Sequence, residues 1–444
     1  MTQVAEKLQP WMAVLEQRGT DGPRWLQDMR ARAATAFAEL GFPTNRDEEW
    51  RFTSVAPIAS AEFQAAPSAR VSLGEPDLAG FLYSGSEHRI VIVNGLFSAE
   101  LSRAPNLPQG VRAGSLAAAV TEHPEVAQRY LGQLAEFNTR AFSALNTALA
   151  VDGAYVYIPD GVILEQPLQL LFVTTGAESG APLMANVRTL IVAGDRSQSR
   201  IVETYVGPPG SVYFTNAVTE VAMGEGAVMD HYKVQEESQA AFHVASMHVH
   251  AVRASNFSSH SFSLGGRLVR NDVNAHLDGE GAECTLNGLY LADGERHVDN
   301  HTEIDHAKAH CPSHEIYKGI LGGKARAVFN GKILVRQDAQ KTDAKQTNRA
   351  LLLTADASIN TKPQLEIFAD DVKCTHGAAI GQLDEDALFY LRARGLTHFE
   401  ARDMLIHAFA GEILERVRIE PLRQALEAEL YAQLAKDLAE IDGA

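Results

Sequence analysis

The chain has 444 residues, 45% of them hydrophobic and 21% charged, which is the make-up of a well-packed soluble protein of roughly two to four domains. Asp and Glu outnumber Lys and Arg by 56 to 39, for a formal net charge of −17, and no Lys/Arg block could track a phosphate backbone, so nucleic acid is excluded as an expected partner. Three cysteines (Cys284, Cys311, Cys374), an N-terminal stretch without an apolar leader and the lack of any apolar run near the ~20 residues of a membrane span point to a reducing cytoplasm without structural disulfides.

The first forty residues read as two helices. Pro23 opens the second, which carries Trp25, Leu26, Met29, Ala33, Phe37 and Leu40 and is closed by Gly41. The run Arg46-Asp47-Glu48-Glu49-Trp50-Arg51-Phe52-Thr53 interleaves charge with two aromatics and is expected to be a docked, hydrogen-bonded segment. One strand is clear at Arg89 to Val93 before the turn Asn94-Gly95. Helical periodicity returns over Ser115 to Leu134 and again over Phe137 to Leu149. Residues 1–150 are therefore expected to form a mostly helical N-terminal region.

From Ala154 to about Ile380 strand follows strand, with hardly a helical window. The spacing predicts strands at Ala154 to Ile158, Leu168 to Thr174, Thr189 to Ala193, Arg200 to Tyr205, Val212 to Ala222, Ala227 to Val234 and Phe242 to Val252. It predicts more at Arg267 to Leu277, Glu283 to Leu291, Ala325 to Leu334 and Gln364 to Ala369. The turn Gly224-Glu225-Gly226-Ala227 recurs as Gly279-Glu280-Gly281-Ala282, and Gly322-Gly323-Lys324-Ala325 has a similar shape. The first two are spaced like two coils of a parallel β-helix with about 25–28 residues per coil. A sandwich fits the strand count too, but Gly-rich corners and the scarcity of two-residue hairpin signals favour the solenoid over residues 151–383.

Helix resumes over residues 384–444. Asp384 can cap a segment ending at Gly395, and Thr397 with Glu400 makes a capping box. Leu405, Phe409, Ile413 and Val417 then fall at four-residue spacing, and Pro421 precedes a last amphipathic helix, Leu422 to Ile441. Such a tail after a β core is a cap or a docking module.

Among residues that could carry chemistry, Cys374 and His376 stand two apart in Asp370-Asp371-Val372-Lys373-Cys374-Thr375-His376-Gly377. On an extended segment they share a face about 6.5–7 Å apart. Two donors are short of the roughly four that zinc or an iron–sulfur centre takes, so the remainder would come from elsewhere, a second chain being one source. The bland alternative is a small buried hydrophobe and a turn residue. Eleven of the sixteen histidines lie between His231 and His314, most densely at His297, His301, His306, His310, Cys311 and His314. On a helix three of these would share a face, yet Pro312 interrupts the run, and polar ladders in the β unit are the simpler expectation; His248 and His250 read as sharing a strand face without a ligand. Asp370, Asp371, Glu303 and Asp305 are available for acid–base work of the kind β-helix polysaccharide enzymes do. Gly319 to Ala325 fails as a phosphate loop, since its glycine spacing is short and Ala325 replaces the Ser/Thr that would hold magnesium.

Several stretches together resemble the SufB/SufD family of the SUF iron–sulfur cluster assembly machinery. They are Arg46 to Thr53; Ala144 to Ala148 with Ile158-Pro159-Asp160-Gly161-Val162; Asp299-Asn300-His301-Thr302 with Asp305-His306; Tyr317 to Ile320; and the long block from Asn360 through Cys374 and His376 to Gly395. Within that family the chain is similar to the SufD branch. SufB-like chains carry His-Glu-Ala where this one has His376-Gly377-Ala378, and a cysteine at about the position of Asn348.

The resemblance implies a mainly β protein, a right-handed parallel β-helix flanked by helical N- and C-terminal regions, acting as a non-enzymatic scaffold. It implies a heterodimer with SufB joined through the β-helix ends, and a SufC ATPase docked on the C-terminal helices, the region of Leu405, Phe409 and Ile413. Homodimer formation by the chain alone is a further expectation. By the same resemblance Cys374 and His376 lie at the SufB–SufD interface, where His376 would help bind iron or the nascent iron–sulfur cluster transiently, with nothing tightly bound to the isolated chain. Two readings stand beside this one: a histidine-rich metal-binding homodimer and a β-helix polysaccharide lyase.

Overall fold

The strand-rich stretch winds into a flattened solenoid of two parallel sheets, seen in a computed structural model that describes residues 3–16, 21–65, 73–83, 87–176 and 181–442. The N-terminal part contains α1 (Gln3–Glu16), α2 (Arg24–Leu40), α3 (Ala56–Ala59), β1 (Gln64–Ala65), α4 (Glu75–Leu78), β2 (His88–Val93), β3 (Leu96–Phe97), β4 (Arg112–Ser115), α5 (Leu116–Glu122), α6 (Pro124–Tyr130) and α7 (Ala141–Leu149). The solenoid strands are β5 (Gly153–Ile158), β6 (Leu168–Val173), β7 (Leu183–Ala193), β8 (Gln198–Val206), β9 (Tyr213–Met223), β10 (Val228–Glu236), β11 (Phe242–Ala251) and β12 (Asn256–Ser263). They continue as β13 (Leu268–Leu277), β14 (Glu283–Ala292), β15 (His297–His306), β16 (Pro312–Leu321), β17 (Arg326–Val335), β18 (Asp343–Leu352), β19 (Ser358–Ile367) and β20 (Lys373–Gly381). The chain ends in α8 (Glu385–Ala393), α9 (His398–Leu414) and α10 (Glu420–Asp442).

Odd strands from β5 to β19 stack in sequence in one sheet and even strands from β6 to β20 in the other. All of these neighbours are parallel. The length of a coil varies from 26 residues, where Phe242 pairs with Leu268, to 35, where Gly153 pairs with Arg188. That is longer than the expected coil because strands of ten residues need polar corners as well. Gly224 and Gly279 do occupy the same corner two coils apart, with Gly226 and Gly281 in the left-handed region at φ 65° and 72°. Gly322 and Gly323 turn between β16 and β17 at the opposite edge, so that third match is a local turn and not part of the repeat.

The two ends of the solenoid differ. The N-terminal end is covered, since β4 pairs antiparallel with β5, and β2, which the sequence shows as a lone strand, joins β6 and carries β3. The C-terminal end stops at β19 and β20, each the last strand of its sheet.

Helices cover the outer faces. On the odd sheet Trp11, Phe37, Phe142 and Leu145 pack on Tyr155, Leu190, Phe214 and Phe242. On the even sheet Ile406, Ile413, Leu422, Leu426 and Leu430 pack on Tyr232, Val234, Phe262, Leu289 and Ile320. Each such buried side chain contributes about 1.5–3 kcal/mol by its removal from water, so these faces anchor both terminal regions.

Local signals account for the helix ends. Gly41 closes α2 with its N–H on the Phe37 carbonyl, Asp384 caps α8 through the Asp386 and Ala387 amides, and Thr397 and Glu400 form the capping box of α9. The helical stretch predicted from Ser115 to Leu134 is two helices, because Pro124 lacks an N–H and forces His123 out of helical geometry, to φ −134° and ψ 53°. The Arg46–Thr53 segment is docked, as its mixed character suggests. Trp50 lies under the Arg270 guanidinium, and Thr53 Oγ1 donates to Asp299 Oδ2 at 2.5 Å.

Candidate functional site

The open end of the solenoid brings Cys374 and His376 to a half-finished rung. In the register of β18 with β20, Cys374 lies beside Ala344, His376 beside Gln346 and Ala378 beside Asn348. Ala344, Gln346 and Asn348 are all buried, so these positions face the solenoid interior, and strand alternation carries Cys374 and His376 onto the same inward face. Among the described residues no strand pairs beyond β20, and His376 is exposed.

Below His376 is a polar column. Gln346 Nε2 donates to Glu315 Oε2 at 2.8 Å, and burial pushes the Glu315 carboxyl up to about 7, against hydrogen bonds from Thr302 and Gln346. Cys374 is half-buried beside Ile333, Val335, Ala339 and Ala344. Burial raises its thiol, the Asp343 carboxylate adds to the rise, and the Ala344 backbone hydrogen bond opposes it. Such a thiol is protonated at neutral pH and becomes a ligand when an approaching cation displaces the proton. Among the described residues no further His, Cys, Asp or Glu atom completes a metal-sized group with these two. Around them Ile367, Phe368 and Ile380 are 40%, 64% and 50% exposed, and the two terminal strands present unpaired backbone edges, features that proteins otherwise protect.

The predicted C-terminal stripe divides. Ile413 offers no docking surface, because it is fully buried against the even sheet. Phe409 is half-buried, its ring centroid 4.6 Å from Lys318 Nζ, which also donates to the Phe409 carbonyl at 2.7 Å and pairs with Glu412 at 2.6 Å. Leu405 is likewise half-buried. Outward-facing apolar residues sit instead at Phe389 and Tyr390 on α8 and at Phe399 and Met404 on α9. Four-residue spacing finds a helix's apolar stripe, and the stripe here packs on the solenoid; the exposed set lies off it.

The histidine-rich run does not gather. His297 contacts Thr53 Oγ1, His301 contacts Glu49 and Asp299, His306 is buried with Ser313, His310 holds a turn at φ 59°, and His314 is exposed on β16. Pro312–Leu321 is a strand, so no helix aligns them. The four carboxylates weighed for acid–base work are dispersed. Asp371 pairs with Lys341, Glu303 with Arg140 and Lys332, and Asp305 with Arg336 and His276, while Asp370 is exposed. Gly319 lies within β16 and the chain runs on into β17 without a helix, which removes the phosphate-loop reading. Cys284 and Cys311 are buried and free.

Fold and site together define a helix-flanked parallel β-solenoid with one open end, where a thiol and an imidazole share a face. Residues 172–409 match the family described as SUF system FeS cluster assembly, SufBD core domain, and residues 16–170 match the SufBD protein N-terminal region. An iron–sulfur cluster assembly SufBD family protein of Synechocystis is 37% identical over 410 residues, 90% of this chain and 89% of the relative. The iron–sulfur cluster assembly protein SufD of Escherichia coli is 29% identical over 96% of both chains, and SufD of Bacillus subtilis 26% over 91% of this chain and 93% of the relative. The chain belongs to the SufBD family of iron–sulfur cluster assembly proteins. Among its described residues no helix is long and apolar enough to cross a membrane.

Proposed function

We propose that this chain is a SufD-type scaffold subunit that pairs with a SufB-type subunit through the open end of its solenoid and supplies half of a transient iron or iron–sulfur site there. The observation that carries this is the unfinished rung at β20, where inward-facing Cys374 and exposed His376 lack the coil that would cover them. A partner solenoid abutting the edges of β19 and β20 would complete both the sheets and the donor set. The exposed apolar side chains of Ile367, Phe368 and Ile380 on its rim suit such burial. Asn348, at about the position where SufB-like chains carry cysteine, is buried with its Nδ2 donating to Thr361 Oγ1 at 2.9 Å, which supports a supporting role rather than assembly of a cluster by this chain alone.

On this reading residues 1–150 and 151–383 form the anchored body and 384–444 the arm that meets a SufC-type ATPase. Phe389, Tyr390, Phe399 and Met404 supply its apolar contact, with Leu405 and Phe409 at the margin. The chain is a scaffold and not a catalyst, and iron or cluster is cargo. Co-expression with SufB- and SufC-type partners tests this. A stable complex is expected, with His376→Ala lowering cluster yield while the complex persists; failure to form any complex overturns the pairing, and undiminished yield removes His376 from the site.

A further inference from the structure

We propose that His250, His276 and Asp278 form a second metal site, on the outer face of the odd sheet, for a borderline divalent transition-metal ion. His250 on β11 and His276 on β13 are register partners, so the strand spacing of about 4.8 Å sets their separation. Their rings stack with centroids 5.7 Å apart and planes 24° from parallel. One nitrogen of each ring and one carboxylate oxygen of Asp278 lie within 4.8 Å of one another, with His250 Nε2 already 3.3 Å from Asp278 Oδ2.

The surroundings hold these groups in place. Asp305, on the next rung from His276, accepts from its Nδ1 at 2.9 Å. Arg336 in turn donates to Asp305 through Nε at 2.9 Å and Nη2 at 2.6 Å. A carboxylate behind a ligating imidazole is the usual outer partner of a protein-bound metal. Lys308 Nζ lies 3.7 Å from Asp278 Oδ1 and is the cation an incoming ion would displace. His250, His276 and Asp278 side chains are 33%, 34% and 39% exposed, which leaves an entry path and room for water in the remaining positions.

Metal–ligand bonds of about 2.0–2.2 Å require the three donors to draw in by roughly 1 Å, within the reach of half-exposed side chains. Two imidazoles and one carboxylate suit Zn2+, Co2+ or Fe2+ and not Mg2+ or Ca2+, which take oxygen donors. The site lies three to four rungs from the open end and in the other sheet from Cys374 and His376. It therefore stands whether or not the open-end reading does.

The test is titration of the metal-free full chain with Co2+, read by visible absorption, and with Zn2+, read by bound metal after desalting, in a Cys374→Ala/His376→Ala background. One saturable equivalent is expected. His250→Gln and His276→Gln should each weaken it at least tenfold, and Asp305→Asn, acting through His276, about ten- to a hundredfold. Retention of full affinity in both histidine variants, each checked for an unchanged urea midpoint, overturns the assignment, as does the lack of saturable binding in the background chain.

Discussion

The Arg270 guanidinium lies 3.9 Å from the centre of the Trp50 ring while its Nη1 donates to Asp299 Oδ2 at 2.8 Å, so one side chain joins the N-terminal segment to the third and fourth odd rungs before the open end. The same nitrogen donates to the Glu49 carbonyl at 2.6 Å, and Asp272 pairs with the guanidinium at 2.9 Å. Asp299→Ala removes one partner of a buried pair, a change that costs about 3–5 kcal/mol. A lowered urea midpoint together with faster hydrogen exchange over residues 45–53 is the expected result. Loss of stability without faster exchange there would show that the segment is held by other contacts.

That network also has a pH window. Burial opposes the charge on Asp299, but Arg270 and His301 hold its carboxyl well below the usual carboxylate range. Burial likewise opposes the charge on His301, and Asp299 and Glu49 raise its pKa above the usual histidine value. The raised His301 contributes stability that is complete below about 6.5 and is lost as pH rises through its folded value; the lowered Asp299 contributes above about 4 and is lost on acidification. Docking of residues 45–53 should be firmest between about pH 4 and 6.5. Hydrogen exchange of this segment should speed up, relative to the solenoid, on going from pH 6 to 8 after correction for intrinsic rates, and His301→Gln should abolish that difference.

Much of this architecture was legible in the sequence because Val, Ile and Leu runs and helix caps are local signals. β12 was not legible, since Asn-Phe-Ser-Ser-His-Ser-Phe-Ser has no apolar face, yet seven of its eight residues are buried. Its polar residues are absorbed on both faces: Ser259 joins an interior ladder, its Oγ 3.0 Å from His231 Nδ1, and His260 stacks on Tyr232 beneath the C-terminal helices. β18 was hidden for the same reason. Cys374 and His376 could be found by proximity in the chain, whereas His250, His276 and Asp278 meet only through the coil-to-coil register, which no single window of sequence contains.

The C-terminal arm should separate folding from binding. Ile413 is fully buried, and Ile413→Ala is expected to destabilise the chain by about 2–5 kcal/mol. Phe389 is 74% exposed, and Phe389→Ala should leave the urea midpoint within about 0.5 kcal/mol while weakening retention of a SufC-type partner in pull-down. Retention equal to the parent's in both Phe389→Ala and a Phe389→Ala/Met404→Ala double variant would place that partner elsewhere.

Tyrosine and glycine interlock across two even strands. Tyr317 pairs with Gly288 and Tyr290 with Gly319, and a Cβ at either glycine would come within 2.2–2.3 Å of the facing ring. Both rings are buried, so neither can swing aside cheaply. Gly288→Ala and Gly319→Ala should each cost about 1–3 kcal/mol through overpacking. Gly377, with open space around its Cβ direction, is the control, and Gly377→Ala should be tolerated in the isolated chain. A midpoint for Gly288→Ala equal to that of Gly377→Ala would mean that the rings relocate freely.

Glu315 gives the solenoid interior a pH dependence of the opposite kind to Asp299. Its carboxyl is fully buried and pushed up to about 7, against about 4.3 in an unfolded chain. The folded state therefore holds this proton longer, and the associated stability is complete below about 4.3 and is lost as pH rises to about 7, a change on the order of 3 kcal/mol. Glu236, pushed up to about 7 by burial and by Glu429, acts in the same direction and would mask a simple pH scan. Glu315→Gln isolates the one group, because glutamine keeps an acceptor for Gln346 Nε2 while removing the charge. The variant and parent should unfold at similar urea concentrations near pH 4.5, diverge as pH rises to about 7 and stay apart above it, with the variant the more stable. A difference that does not change with pH would show that the Glu315 carboxyl is solvated from the open end. The column beneath His376 would then be wet, and His376 would sit over water-filled polar ground instead of over a dry wall.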